Sequence, residues 1–94
     1  MITELNDSNY DAIMKSKMPV VIEFYSRSCP HCKRTQKGMQ ELSEEMGNDV
    51  IFAQSDIAAV PALAARLDIQ SVPTILFIRN GEIKDKRMGF THKL

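Results

Sequence analysis

Val20-Val21-Ile22-Glu23-Phe24-Tyr25 is a nearly continuous run of β-branched and aromatic residues, interrupted by one charge. Such a run reads as a strand buried on both faces, so the chain has to supply a layer of structure on each side of a sheet. A polar loop, Ser26-Arg27-Ser28, follows it. Next comes Cys29-Pro30-His31-Cys32, which holds the only two cysteines of the chain. Two residues between thiols is the spacing at which a short turn closes a disulfide. It also lets one sulfur attack the other with almost no search. The pair is a candidate switch that makes and breaks disulfides in other molecules. A purely structural bridge is a poor explanation, because so small a loop constrains the unfolded chain little.

The rest of the chain alternates strand and helix signals. Ile2 to Leu5 is predicted as a short edge strand. Asn6, Asp7 and Ser8 are candidate caps for a short helix through Ala12, Ile13 and Met14, which Pro19 ends. From Lys33 to Met46 the pattern is helical, with Met39, Leu42 and Met46 spaced by three and four, and Gly47-Asn48-Asp49 stops it. Val50-Ile51-Phe52-Ala53 is predicted as a second central strand. Pro61 suits the first turn of a helix reaching Leu67. Thr74-Ile75-Leu76-Phe77-Ile78 is a third strand. Asn80-Gly81 is a strong hairpin signal, which returns Glu82 to Met88 antiparallel. The order βαβαβαββ predicts an α/β fold with a mostly parallel central sheet and an antiparallel terminal hairpin. With 94 residues, 44% of them hydrophobic, residues 1–94 are expected to form one domain.

Formal charge balances at zero, so no basic excess points to nucleic acid or to an anionic membrane. No apolar stretch approaches the ~20 residues that span a bilayer. Residues 1–7 have neither the basic flank nor the apolar run of a signal peptide. The expected compartment is the cytoplasm, where a CxxC is more often catalytic than structural. Structural zinc wants four ligands, and the chain offers two cysteines and two histidines, His31 and His92. His31 lies inside the loop and is poorly placed to ligate beside both neighbours. Haem attachment needs a histidine after the second cysteine, where Lys33 stands. No metal is expected.

These pieces resemble the thioredoxin family over nearly the whole chain. The resemblance rests on Val21-Ile22-Glu23-Phe24-Tyr25-Ser26-Arg27-Ser28-Cys29-Pro30-His31-Cys32-Lys33 and on Ser71-Val72-Pro73-Thr74-Ile75-Leu76-Phe77-Ile78-Arg79-Asn80-Gly81. Ser28 stands where that family usually has Trp. Pro30-His31 replaces the usual Gly-Pro and is similar to the pair in the bacterial disulfide oxidant DsbA. Glu23 takes the place of a buried Asp, as in protein disulfide isomerase. Gln54 stands where a lysine near that carboxylate is expected, and Lys37-Gly38 replaces a helix-kinking proline. The family closes with a helix after the hairpin, whereas this chain stops at Gly89-Phe90-Thr91-His92-Lys93-Leu94. That helix is expected to be missing or a stub. Some of Ile75, Leu76, Phe77, Ile78 and Ile83 would then be exposed, and the chain would be a monomer or a weak dimer.

The resemblance implies that Cys29 is the exposed nucleophile at a helix N-terminus, where unpaired N–H groups favour a thiolate. His31, Pro30 and Lys33 would tune that thiolate. Arg27, Arg34 and Lys37 crowd the same end, with Glu41, Glu44 and Glu45 at the other, opposite to what the helix dipole prefers. The functional reading is a positive field around a thiolate; the bland one is a solvated helix face. Cys32 would resolve the mixed disulfide, with Glu23 accepting its proton. The alternative for Glu23 is a strand residue pointing to solvent, which alternation does not exclude. Val72 and Pro73, joined by a cis bond, would face the disulfide and pair with an extended substrate. No cofactor beyond the redox-active disulfide is implied. The expected partners are protein disulfides or dithiols and a recycling reductase such as thioredoxin reductase. Two other readings stay open. One is a glutaredoxin-like, glutathione-dependent enzyme, although the Gly-Gly segment those proteins use is absent after the hairpin. The other is a non-catalytic binding module on the same fold.

Overall fold

The computed structural model of the protein describes residues 2–88. The elements in chain order are β1 (Ile2–Glu4), α1 (Tyr10–Met14), β2 (Val20–Tyr25), α2 (Pro30–Met46), β3 (Ile51–Asp56), α3 (Pro61–Arg66), β4 (Thr74–Arg79) and β5 (Glu82–Met88). The expected order βαβαβαββ holds. The helix expected to be missing after β5 lies outside the described residues, as does His92.

The five strands form one sheet in the order β1-β3-β2-β4-β5. The β1–β3 and β2–β3 pairs are parallel, whereas β2–β4 and β4–β5 are antiparallel. The sheet is therefore mixed, not mostly parallel. The reason is the length of the connections. A parallel return must carry the chain back along the strand, which for six residues is about 20 Å. The 17 residues of α2 span that distance at about 1.5 Å each, and β2 and β3 run parallel. The six residues of α3 rise only about 9 Å, so the chain enters β4 from the end at which it left β3. The helix is stopped by Asp68, at φ 56°, with N–H bonds from Asp68 to the Ala65 carbonyl and from Ile69 to the Ala64 carbonyl. The start of β4 is thereby brought beside the end of β2, with Phe24 opposite Thr74.

The two faces of the sheet are covered differently. On one, Met39 and Leu42 of α2 pack on Val21, Phe52 and Ile75. On the other, Val20, Ile22, Phe24, Ala53, Leu76 and Ile78 pack with Leu5, Tyr10, Val60 and Leu63. Residues 20–24 are buried, as a strand covered on both faces requires. Of Ile75, Leu76, Phe77, Ile78 and Ile83, some of which are expected to be exposed, Ile83 is exposed and Phe77 lies between; Ile75, Leu76 and Ile78 are buried because these two cores cover them. An apolar groove of about 440 Å³ lies where β2 begins and β4 and α2 end, lined by Pro19, Val21, Met46, Phe52 and Phe77 among others. It is at the opposite end of the sheet from the cysteines. The Asn80-Gly81 hairpin forms as expected: both residues have positive φ, 54° and 77°, and join Arg79 directly to Glu82.

Candidate active site

The helix that carries the cysteines starts at Pro30, earlier than the apolar pattern from Lys33 indicates. Cys29 is its N-cap, with extended backbone at φ −94° and ψ 109°. Proline suits the first helical position, where its missing N–H would have had no helical partner. The Cys29 sulfur does the work that a serine or aspartate oxygen usually does, accepting the Cys32 N–H at 3.1 Å. The two cysteines are joined as a disulfide, with Cα atoms 5.2 Å apart. Cys32 is fully buried and Cys29 is half-buried, so an approaching sulfur meets Cys29.

Around this end the first turn of α2 holds no acidic residue and the last turn no basic one. His31, Lys33, Arg34 and Lys37 are all exposed. Arg27 departs from the expected crowding of cations: its guanidinium pairs with the largely buried Asp56 carboxylate at 3.3 Å. Asp56 ends β3 directly beside Tyr25, so the sheet supplies an anion to the loop that sequence order does not reveal.

Glu23 does not point to solvent. It shares a sheet face with Val21, which packs under α2, and its residue exposure is 0%. Neither carboxyl oxygen has a hydrogen-bond partner among the described residues. Burial pushes the carboxyl up to about 8 from an ordinary 4.5, because the charged form loses its water. Gln54 lies in register beside Glu23 on β3, but its amide donates to Glu4 Oε1 at 3.0 Å instead. The Tyr25 hydroxyl donates to the other Glu4 oxygen at 3.0 Å. Glu4 thus collects the donors that flank Glu23.

The Val72–Pro73 bond is cis, Pro73 is buried and Val72 is half-buried. Because β4 runs antiparallel to β2, this dipeptide sits at the sheet end from which the cysteine loop leaves. The fold therefore gathers Cys29, Cys32, Glu23, Val72 and Pro73 at one end. Thr35 joins them without any motif to announce it. It is 2% exposed, on the buried stripe Cys32, Thr35, Met39, Leu42 and Ser43 of α2. Its spacing of three from Cys32 is the one sequence clue. Among the described residues no group of three or more His, Cys, Asp or Glu is arranged to hold a metal ion, and no helix is long and apolar enough to cross a membrane.

A sequence model described as Thioredoxin matches residues 1–93. The chain is 32% identical over 94 residues to a thioredoxin of Buchnera aphidicola, covering 99% of this chain and 87% of that one. It is 30% identical over 94 residues to a thioredoxin of Rickettsia prowazekii, covering 99% and 90%. Against the chloroplastic M-type thioredoxin of Spinacia oleracea it is 29% identical over 93 residues, and spans 98% of itself but 51% of that protein. The crystal structure of a Malassezia sympodialis thioredoxin superposes with a TM-score of 0.89 at 22% identity, covering 97% of this chain and 81% of that one. With a family match along nearly its whole length and a disulfide-forming cysteine pair at the head of α2, this chain belongs to the thioredoxin family of thiol-disulfide oxidoreductases, whose chemistry is carried by a redox-active disulfide without an added cofactor.

Proposed function

We propose that the chain exchanges its Cys29–Cys32 dithiol or disulfide with protein substrates through a mixed disulfide, at a potential more oxidising than that of an ordinary thioredoxin. The observation that carries this is the Cys29 sulfur at the helix N-cap, accepting the Cys32 N–H. On reduction the same amide meets a thiolate, and a charge-assisted bond is stronger than a neutral one. The positive end of the helix dipole, an acid-free first turn and the exposed cations Lys33, Arg34 and Lys37 favour the same anion. His31 and Pro30, the DsbA-like pair, lie inside this field. A thiolate that is easier to hold stabilises the dithiol, which makes the disulfide the better oxidant.

Glu23 is the proton acceptor for Cys32 in this scheme. Its carboxyl, pushed up to about 8 by burial, is matched to a thiol for transfer near neutral pH. Val72 and Pro73 line the substrate side, where the half-buried Val72 backbone offers an extended peptide a partner. In the reducing cytoplasm such a pair is recycled by a reductase and works as a reductant despite its potential. Thiolate absorbance during titration of the reduced protein tests the anion directly. Cys29 is expected to ionise below about 7, and a midpoint at or above about 8, close to an ordinary thiol, overturns the reading.

A further inference from the structure

Glu23 Oε1, Glu23 Oε2 and Thr35 Oγ1 are the buried side-chain polar atoms that lack a hydrogen-bond partner among the described residues. Native interiors leave few such atoms, and each needs a physical reason. These three lie on surfaces that face each other. Glu23 is on the sheet face that α2 covers, and Thr35 is on the stripe of α2 that does the covering. Cys32 and Thr35, three apart on the helix, are neighbours on that stripe. Met39, one turn beyond Thr35, packs on the row of Val21 and Phe52. Toward its N-terminus the stripe passes over the next row of the sheet, formed by Gln54, Glu23 and Ile75.

A threonine hydroxyl inside a helix ordinarily turns back to a carbonyl of the preceding turn. Thr35 makes no such bond, which leaves its hydroxyl for a group off its own helix. The hydroxyl and the carboxyl lie beyond direct hydrogen-bond reach of each other, and one water between two such groups satisfies both. We propose that Thr35 is a positioning residue for the exchange reaction: with Glu23 it holds one water beside Cys32, through which the Cys32 proton passes to the Glu23 carboxylate. This rests on the role proposed above for Glu23.

Cys32 gives its proton to the water, and the water gives one of its own to Glu23. The Cys32 sulfur attacks the Cys29 sulfur of the mixed disulfide. The Cys29–Cys32 bond forms and the bond from Cys29 to the substrate sulfur breaks. That sulfur leaves with the electron pair and takes a proton from solvent. The cysteine pair is oxidised by two electrons and the substrate disulfide is reduced to two thiols.

Other groups near Glu23 are engaged elsewhere. Glu4 of β1 holds the Gln54 amide and the Tyr25 hydroxyl. Asp56 of β3 pairs with Arg27, and Arg87 of β5, beyond Ile75, pairs with Asp85 at 3.3 Å. The charged residues of α2 from Lys33 to Glu45 are exposed, and β4 contributes no titratable group before Arg79.

An aromatic disulfide with a coloured thiol leaving group separates the two steps. The first release reports attack by Cys29 and the second reports attack by Cys32. Thr35→Val keeps the shape and removes the hydroxyl. It is expected to leave the first phase unchanged and slow the second about tenfold, within the range of general acid–base effects. The pH midpoint of the second phase should move upward, because a donor to the charged carboxylate is lost. Thr35→Ser should restore both. In a Glu23→Ala background, Thr35→Val should add nothing. If Thr35→Val leaves the second phase unchanged while Glu23→Ala slows it, the inference is overturned and the role of Glu23 stands. If Glu23→Ala leaves the second phase unchanged, both fall. Equal slowing of both phases by Thr35→Val, unrescued by serine, assigns Thr35 a structural role and overturns the inference.

Discussion

Cys32→Ser should reduce steady-state disulfide reduction by about 10³-fold or more and leave the protein covalently attached to its substrate. The size follows from proximity. Cys32 is held with its Cα 5.2 Å from that of Cys29, and its sulfur needs no search to reach the mixed disulfide. An external thiol that replaces it loses that intramolecular advantage, which for well-oriented groups is very large. The serine hydroxyl is nearly isosteric and keeps the backbone N–H that caps onto Cys29, so formation of the mixed disulfide should persist. Non-reducing mass spectrometry of Cys32→Ser after mixing with a disulfide substrate should find the adduct on Cys29. Turnover within about tenfold of the parent, or an adduct found elsewhere, would show that the two cysteines do not divide the labour in this way.

The second large effect is on stability. Glu23 is fully buried with no donor among the described residues, and its carboxyl is pushed up to about 8 from 4.5. Between these values the folded protein keeps a proton that the unfolded chain releases. Stability therefore falls as pH rises from about 4.5 and levels off above about 8. The loss over that window is on the order of a few kcal/mol. Glu23→Leu removes the proton from the balance and fills a site already walled by Val21, Ile75 and α2. Its advantage over the parent should be small at pH 4 and reach several kcal/mol at pH 9, read from urea midpoints across the range. Parallel stability curves for the two proteins would mean that folding does not raise the Glu23 carboxyl above its ordinary value. A residue this costly fits retention for proton transfer better than retention for folding.

Much of this was legible locally. The β2 strand announced itself because residues covered on both faces must be apolar, and Asn80-Gly81 because few other pairs accept two positive φ values. The CxxC was legible for the same reason, since its chemistry depends on neighbours in sequence. What stayed hidden depends on distance. The direction of β4 follows from how far a six-residue helix carries the chain, which alternation of elements does not encode. The polar half of β3, Gln54-Ser55-Asp56, is a strand because Glu23-Phe24-Tyr25 pairs with it and Ser55 donates to the Leu5 carbonyl, not because of its own composition. The pairing of Arg27 with Asp56 and the collection of donors by Glu4 arise only once β1, β2 and β3 lie side by side. Glu23 itself was ambiguous, since with apolar residues on both sides alternation assigns it to neither face. Thr35 gave no signal beyond its spacing of three from Cys32, because a threonine in a polar helix segment is ordinary until the helix is docked.

The equilibrium potential of the Cys29–Cys32 pair against a glutathione buffer is the decisive measurement. A thiolate stabilised by the N-cap amide, the helix dipole and the Pro30-His31 pair should place it well above the thioredoxin value of about −270 mV, toward the range of about −180 to −120 mV spanned by protein disulfide isomerase and DsbA. A potential at about −270 mV or below would mean that Pro30-His31 and the cations of α2 do not stabilise the dithiol, and that the protein is a general reductant of the ordinary kind.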